Sequence, residues 1–260
     1  MFSDLVPLYP LVVPFLLVLF RVMGVFSFVA FFSNAAIPGN VRVLLALCVS
    51  FCIFSAVPHD IAMPTSLPSL VVAILGEMSV GLVMGMMVAL VFNGLQLGAH
   101  MLSQQMGLSM AGVYDPMFDQ ESTAIEQLAF WLGTIVFLTL GGHGQLINAL
   151  VYSYDSVPMG HAVQPERMLE VGLASVTASF HLAVKVGAPA LVAFFVSTLA
   201  MGFVSKSMPQ INIMTLGIGM HLFIGFGMIA LGLVGWAVVA REAWMDFFQR
   251  LATVFGHHSG

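Results

Sequence analysis

Long runs of apolar residues, separated by short polar segments, dominate this chain. A helix needs about 20 predominantly apolar residues to cross the hydrocarbon core of a bilayer. A membrane-spanning barrel would instead show short strands of alternating polarity, and the sequence contains no such series. The pattern therefore predicts an all-α, polytopic membrane protein built from helical hairpins. Its six apolar runs cover about residues 8–32, 41–57, 70–92, 124–141, 172–204 and 211–240.

The third run continues as a helix beyond the point where lipid should end. Polar side chains recur there at steps of three and four, which places them along one stripe of the helix. Such a stripe favours a lumen-facing or gating role; the alternative is a helix that simply leaves the membrane into water. The stripe consists of Asn93, Gln96, His100 and Ser103.

A polar, glycine-containing segment follows this helix, over residues 104–122. Lipid tolerates irregular backbone only where other protein buries it or where it lines a watery cavity. The thioethers of Met106, Met110 and Met117 adapt to changing contacts, which suits either a deformable seal or ordinary core filling. The segment is therefore the first candidate for a functional site.

Ionisable residues lie inside the apolar runs or at their edges. Such residues are costly in a bilayer and usually face a bundle interior, a cavity or one another. Arg21 and Glu77 fit this description, although an arginine can also snorkel to the membrane surface. Lys185 precedes Pro189 by four residues, which predicts a kinked or broken helix. These positions indicate intramembrane charge, as expected of a transport pathway.

Pairs of glycines at four-residue spacing predict where helices pack closely. Gly81 and Gly85 form one pair, and Gly94 and Gly98 form another. This spacing lets helix backbones approach each other, within one chain or between chains. We therefore expect both faces to serve helix packing and assembly.

Composition narrows the function further. The chain is 60% hydrophobic and 7% charged, and its net charge of −5 offers no basic patch for nucleic acid. The sequence contains neither a His-Glu-x-x-His motif nor a phosphate-binding Gly-x-x-x-x-Gly-Lys loop. Ser122 or Thr123, with Glu126 nearby, is first a helix cap. We therefore expect no enzyme, no cofactor and no metal site.

Short motifs in a fixed order give this chain a resemblance to a known family. It resembles the FliR family of flagellar and type III export components nearly from end to end. The motifs are Phe20–Gly24, Ile37–Ala46, Gln105–Ala111 with Asp115–Pro116, Gly141–His143, Val157–Gly160 and Met208–Ile213.

The resemblance implies a subunit of the protein-export gate of the flagellar basal body, in the bacterial inner membrane. Its partners would be FliP- and FliQ-type subunits, FlhB- and FlhA-type proteins, and unfolded export substrates in transit. The helical hairpins would stack with these subunits into a helical cone. About residues 1–160 would form a FliP-like part and about residues 161–260 a FliQ-like part of a single export-gate domain.

The resemblance also assigns a role to the irregular segment, as a plug inside the lumen of the channel. Two alternatives stay open at this point. The same motifs serve the gate of a virulence type III secretion system, and the charged residues in apolar runs are also compatible with a small-solute transporter. The plug residues implied by the resemblance are Met106, Gly107, Leu108, Met110, Tyr114, Asp115 and Pro116.

Overall fold

The structure is a computed structural model that describes residues 9–28, 38–57, 66–108, 123–160, 165–208, 210 and 213–255. These residues form seven helices, and no strand occurs among them. The predicted all-α class is therefore confirmed. The helices are α1 (Tyr9–Phe28), α2 (Gly39–Phe54), α3 (Leu67–Gln105), α4 (Ala124–Thr139), α5 (Gly142–Ser156), α6 (Pro165–Ser207) and α7 (Ile213–Phe255).

Three of the described helices, α3, α6 and α7, are long and apolar enough to cross a membrane. Helices α4 and α5 together meet the same criterion as a pair bent by 67°. The bend occurs at Gly141, whose φ of 66° lies in the left-handed region that glycine adopts without strain. The chain is thus a membrane protein, as its apolar runs predict.

Helix α3 begins at Leu67 and ends only at Gln105, so the predicted continuation beyond residue 92 is confirmed. Helices α6 and α7 each contain 43 residues. Helix α6 begins before its apolar run, and α7 continues well past the end of its own. Helix α6 also runs through Pro189 without interruption, so the break that was one of the two predicted outcomes there does not occur. The other outcome, a kink, stays a prediction. The sequence pattern did not indicate α5, which is the least apolar of the helices.

The chain divides into two compact units, of which the first comprises Met1–Leu90, Gly141–Val176 and Met245–Gly260. In this unit the rings of Phe15 and Phe54 meet edge to face, with centroids 5.7 Å apart, and join α1 to α2. Backbones of α1 and α3 also touch, at glycines described below. The buried side chains of Arg21 and Glu77 belong to this unit.

The second unit comprises Val91–Leu140 and Thr177–Trp244, and it has an apolar core. At one end of this core, Phe92 packs against Phe130, Phe137 and Trp244, with ring centroids 5.0–6.2 Å apart. Residues from α3, α4, α6 and α7 build the remainder. The core consists of Leu95, Ala99, Leu102, Met106, Ile125, Ala129, Leu182, Val186, Ala190, Phe194, Trp236 and Ala240.

Candidate functional site

Helix α3 ends inside the second unit, at the start of the polar segment that the sequence shows between α3 and α4. The amide of Met106 still donates to the carbonyl of Leu102 at 3.1 Å, whereas the amide of Gly107 donates to Gln104 at 3.0 Å. Gly107 has a φ of 77°, a conformation that favours glycine at a helix end. The backbone therefore turns away from the axis of α3 immediately after its last apolar residue.

Met106 is buried, and its thioether fills the space that a side chain at Gly225 of α7 would need. Leu108 is partly buried and packs against the same core. Of the predicted plug residues, these two and Gly107 are thus positioned by α3 and α7. Met110, Tyr114, Asp115 and Pro116 lie outside the described residues.

His221 of α7 makes a second contact with the end of α3. Its Nδ1 lies 3.1 Å from the carbonyl oxygen of Gln105, so the ring donates to one of the carbonyls that a helix end leaves without a partner. The ring also meets Phe194 of α6, with centroids 5.3 Å apart. The sequence showed His221 only as an ionisable residue in an apolar run, with no indication of this contact.

The polar stripe of α3 changes its surroundings along its length. Asn93 is exposed, Gln96 is partly buried, and Ser103 is buried, with its hydroxyl donating to the carbonyl of His100 at 3.0 Å. Nδ1 of His100 lies 2.9 Å from Oε1 of Glu126 on α4. The first part of the stripe is therefore open, and the last part contacts α4. A lumen-facing role for these four residues stays a prediction.

Glu126 also belongs to the cap of α4. Its amide donates to the hydroxyl oxygen of Thr123 at 3.4 Å, and that hydroxyl donates to Oε1 of Glu126 at 2.7 Å. The predicted cap is confirmed, with Thr123 as the capping residue. The sequence did not indicate that the same carboxylate reaches His100.

A buried charged cluster lies in the first unit, around Arg21. Its Nε donates to Oε2 of Glu77 at 2.6 Å, and both side chains are almost entirely inaccessible to solvent. One terminal nitrogen donates to the hydroxyl of Ser153 at 2.9 Å, and the other to the carbonyl of Val157 at 3.0 Å. The guanidinium carbon lies 3.9 Å from the ring centroid of Tyr154. Arg21 therefore does not snorkel to the surface.

The other carboxylate oxygen of Glu77 completes this cluster, because Oε1 accepts the amide of Gly160 at 3.0 Å. A buried ion pair is tolerable only when its remaining hydrogen-bonding groups also find partners. Arg21 and Glu77 meet this condition by joining α1 and α3 to α5 and to the turn that follows it. The geometry indicates that Arg21 and Glu77 act as a structural clamp between these elements.

Lys185 has a different environment from the other two predicted intramembrane charges. It is exposed on α6, and it forms no ion pair with any residue that the structure describes. The charge of Lys185 is thus available to lipid headgroups, water or another protein. Its role as an intramembrane charge stays a prediction.

The four glycines predicted to pack helices lie at close backbone contacts within the chain. A Cβ at Gly81 would meet the carbonyl oxygen of Arg21, and one at Gly85 would meet that of Val25, both on α1. Further along α3, a Cβ at Gly94 would lie 2.7 Å from the carbonyl oxygen of Ser179 on α6. A Cβ at Gly98 would lie equally close, 2.7 Å, to the Cβ of Val186 on the same helix.

The described residues contain no group of three or more histidines, cysteines or acidic residues that could hold a metal ion. Two open grooves occur in the first unit. One, of about 1140 Å³, has an almost wholly apolar lining from α3 and α6 that includes Val72, Leu75 and Leu173. The other, of about 590 Å³, lies between α5 and the end of α7 and includes Asn148 and Asp155.

Comparison with known proteins identifies the family. Residues 12–247 match the family described as Bacterial export proteins, family 1. The flagellar biosynthetic protein FliR of Caulobacter vibrioides is 29% identical over 224 residues, covering 86% of this chain and 88% of the relative. The FliR protein of Bacillus subtilis is 24% identical, with 92% of each chain covered. The FliR protein of Escherichia coli is 24% identical, covering 91% and 90% respectively. The chain belongs to the Bacterial export proteins, family 1, and within it to the FliR family.

Proposed function

We propose that this chain is a core subunit of the flagellar protein-export gate in the bacterial inner membrane. It assembles there with FliP- and FliQ-type subunits, under FlhB- and FlhA-type proteins, into a plugged channel for unfolded flagellar proteins. Similarity to relatives named for flagellar biosynthesis, over about nine tenths of their length, supports the flagellar setting. In this proposal about residues 1–160 are FliP-like and about residues 161–260 are FliQ-like.

The observation that best supports assembly with other subunits is the length of exposed apolar surface on α6. Large apolar side chains are exposed from Leu169 to Phe203, which are 65% and 74% accessible. At 1.5 Å per residue, this stretch of helix measures about 51 Å. The hydrocarbon core is about 30 Å thick, and even a 40° tilt would cover only about 39 Å of helix. Lipid alone therefore leaves apolar surface exposed.

Other protein is the remaining cover for that surface. Helix α7 also exposes large apolar side chains, among them Phe223, Leu231 and Val234. Apolar surface that lipid does not cover is typical of an interaction site. Partner subunits that contribute apolar helices of their own, as FliP- and FliQ-type proteins would, account for it.

The end of α3 supports the plug. A glycine with positive φ, Gly107, follows two residues after the helix ends. A flexible thioether, rather than a rigid side chain, fills the contact with α7. In this proposal Met106, Gly107 and Leu108 anchor a segment that continues through Met110, Tyr114, Asp115 and Pro116. A seal of this kind can yield to a passing chain and close again, because thioethers repack easily.

Co-expression with FliP- and FliQ-type subunits tests the proposal. The complex is purified through a tag on this chain in mild detergent, and its mass is measured by native mass spectrometry. We expect a defined hetero-oligomer that contains this chain. A monodisperse particle of this chain alone, with the partners expressed but unbound, would overturn the export-gate assignment.

A further inference from the structure

We propose that His100, Gln104 and Glu126 form a proton-responsive tie between the end of α3 and the start of α4. The tie strengthens when the imidazole of His100 takes up a second proton. It concerns contacts within this chain, so it does not depend on the export-gate assignment.

Both ring nitrogens of His100 have a partner. Nδ1 lies 2.9 Å from Oε1 of Glu126, and Nε2 lies 2.7 Å from the side-chain amide of Gln104. A carboxylate only accepts, so Nδ1 carries a proton. The amide can present its nitrogen to a bare Nε2 or its oxygen to a protonated one, so the ring keeps both contacts in its neutral and its charged form.

A second proton changes both contacts. Nε2 becomes a donor, and the amide nitrogen of Gln104 can no longer donate to it, so the amide must rotate to present its oxygen. The contact with Glu126 becomes a charge-assisted hydrogen bond, which is shorter and stronger than its neutral counterpart.

Neighbouring hydroxyl groups hold the carboxylate of Glu126 in place beside His100. Thr123 donates to the same oxygen that faces His100, and the Ser103 hydroxyl lies 3.5 Å from it. The side chain of Glu126 is only 12% exposed, whereas that of His100 is 40% exposed. The imidazole is thus the more accessible member of the pair, and its partner is held at the cap of α4.

Other charged groups lie on the elements that pack near this end of α3. Helix α4 contributes only Glu126, and α7 contributes His221, which contacts Gln105 rather than His100. Arg241 and Glu242 of α7 are exposed and precede Trp244, which packs on Phe92, two turns before His100.

Helix α6 packs on α3 at Gly94 and Gly98 and carries His181 and Lys185, both of which are exposed. The segment that joins α3 to α4 carries Asp115, Asp119 and Glu121, which lie outside the described residues.

Hydrogen–deuterium exchange of the full-length protein in lipid nanodiscs tests the tie. Exchange of residues 102–108 and 124–128 is followed from pH 5.5 to pH 8 and corrected for the intrinsic pH dependence of amide exchange. We expect protection of both segments to increase severalfold on acidification. Unchanged protection across this range would overturn the proposal.

Variants assign the effect to its residues. His100→Gln keeps a side-chain donor but cannot titrate, and Glu126→Gln removes the charge that attracts the imidazolium; each should abolish the pH dependence. His221→Gln is the matched control at the same end of α3 and should retain it. Persistence of the pH dependence in His100→Gln, or its loss only in His221→Gln, would overturn the proposal even if Glu126→Gln proves too unstable to purify.

Discussion

The guanidinium of Arg21 and the carboxylate of Glu77 meet at 2.6 Å in the interior of the protein, although 56 residues separate them in the sequence. Neither charge reaches solvent, and each has further hydrogen-bond partners on other elements. A buried pair of this kind contributes through the cost of losing one member, more than through its own attraction. The first two predictions follow from this arrangement.

Removing one member of the pair should destabilise the protein strongly. Glu77→Ala leaves the Arg21 charge buried without its partner, which costs roughly 3–5 kcal/mol. We expect a large drop in the thermal unfolding midpoint, measured by tryptophan fluorescence in detergent. Glu166→Gln, at an exposed position on α6, is the control and should change little. A wild-type midpoint for Glu77→Ala would contradict the clamp.

The contact of α3 with α1 should be intolerant of even one methyl group. Gly81→Ala places a Cβ against the carbonyl oxygen of Arg21, and such overpacking costs roughly 1–3 kcal/mol. Gly144→Ala is the matched control, because a Cβ there would meet nothing within 4 Å. The control should be neutral or slightly stabilising, since alanine favours helix. Equal thermal unfolding midpoints for the two variants would contradict a close helix contact at Gly81.

The turn at the end of α3 should need a residue that tolerates positive φ. Gly107→Ala forces a left-handed conformation on an L side chain, at a cost of about 1–2 kcal/mol. Gly107→Asn should cost less, because asparagine adopts this conformation more readily. The comparison is made by thermal unfolding and by exported flagellin in culture medium. Alanine and asparagine variants that behave alike would argue against a conformational requirement at this position.

Deletion of residues 110–116 tests the proposed plug directly. In a complex that still assembles, we expect the membrane to become permeable to small solutes, since the proposed seal is gone. Permeability is measured as dye release from vesicles that contain the purified complex, with the undeleted complex as control. Unchanged permeability in an assembled complex would count against a sealing role.

Met106→Ala should produce a weaker leak than that deletion. It removes a buried side chain next to Gly225, yet neighbouring flexible side chains can partly fill the space. Met106→Leu keeps most of the volume and is the matched control, which should leak least. The same dye-release assay ranks the three variants. A leak from Met106→Ala as large as that from the deletion would show that this one thioether carries the seal.

The helices could largely be predicted from the sequence. In a membrane the backbone N–H and C=O groups of each apolar run must hydrogen-bond within the protein, which favours helix. The continuation of α3 to Gln105 was also predictable, from the period of its polar stripe. Helix α5 was missed because it is polar along one side and follows a glycine pair. At Pro189 the predicted alternatives were a kink and a break, and the local sequence could not show that the helix continues through the proline.

The contacts of the site were harder to predict than its helices. The sequence marked Arg21, Glu77, His100 and Glu126 individually, but pairing depends on how distant segments pack. The contact of Met106 with Gly225, 119 positions later, left no local signal either. Periodicity describes one helix at a time, and these contacts all join two.

Arg21 contributes to the protein twice, since its side chain holds Glu77 and its backbone carbonyl lies against Gly81. A larger residue at position 81 would displace the backbone of α1 and, with it, the guanidinium. Positions 21, 77 and 81 are therefore not free to vary one at a time during evolution. Among homologues they should change together or not at all, which makes their covariation a record of this helix crossing.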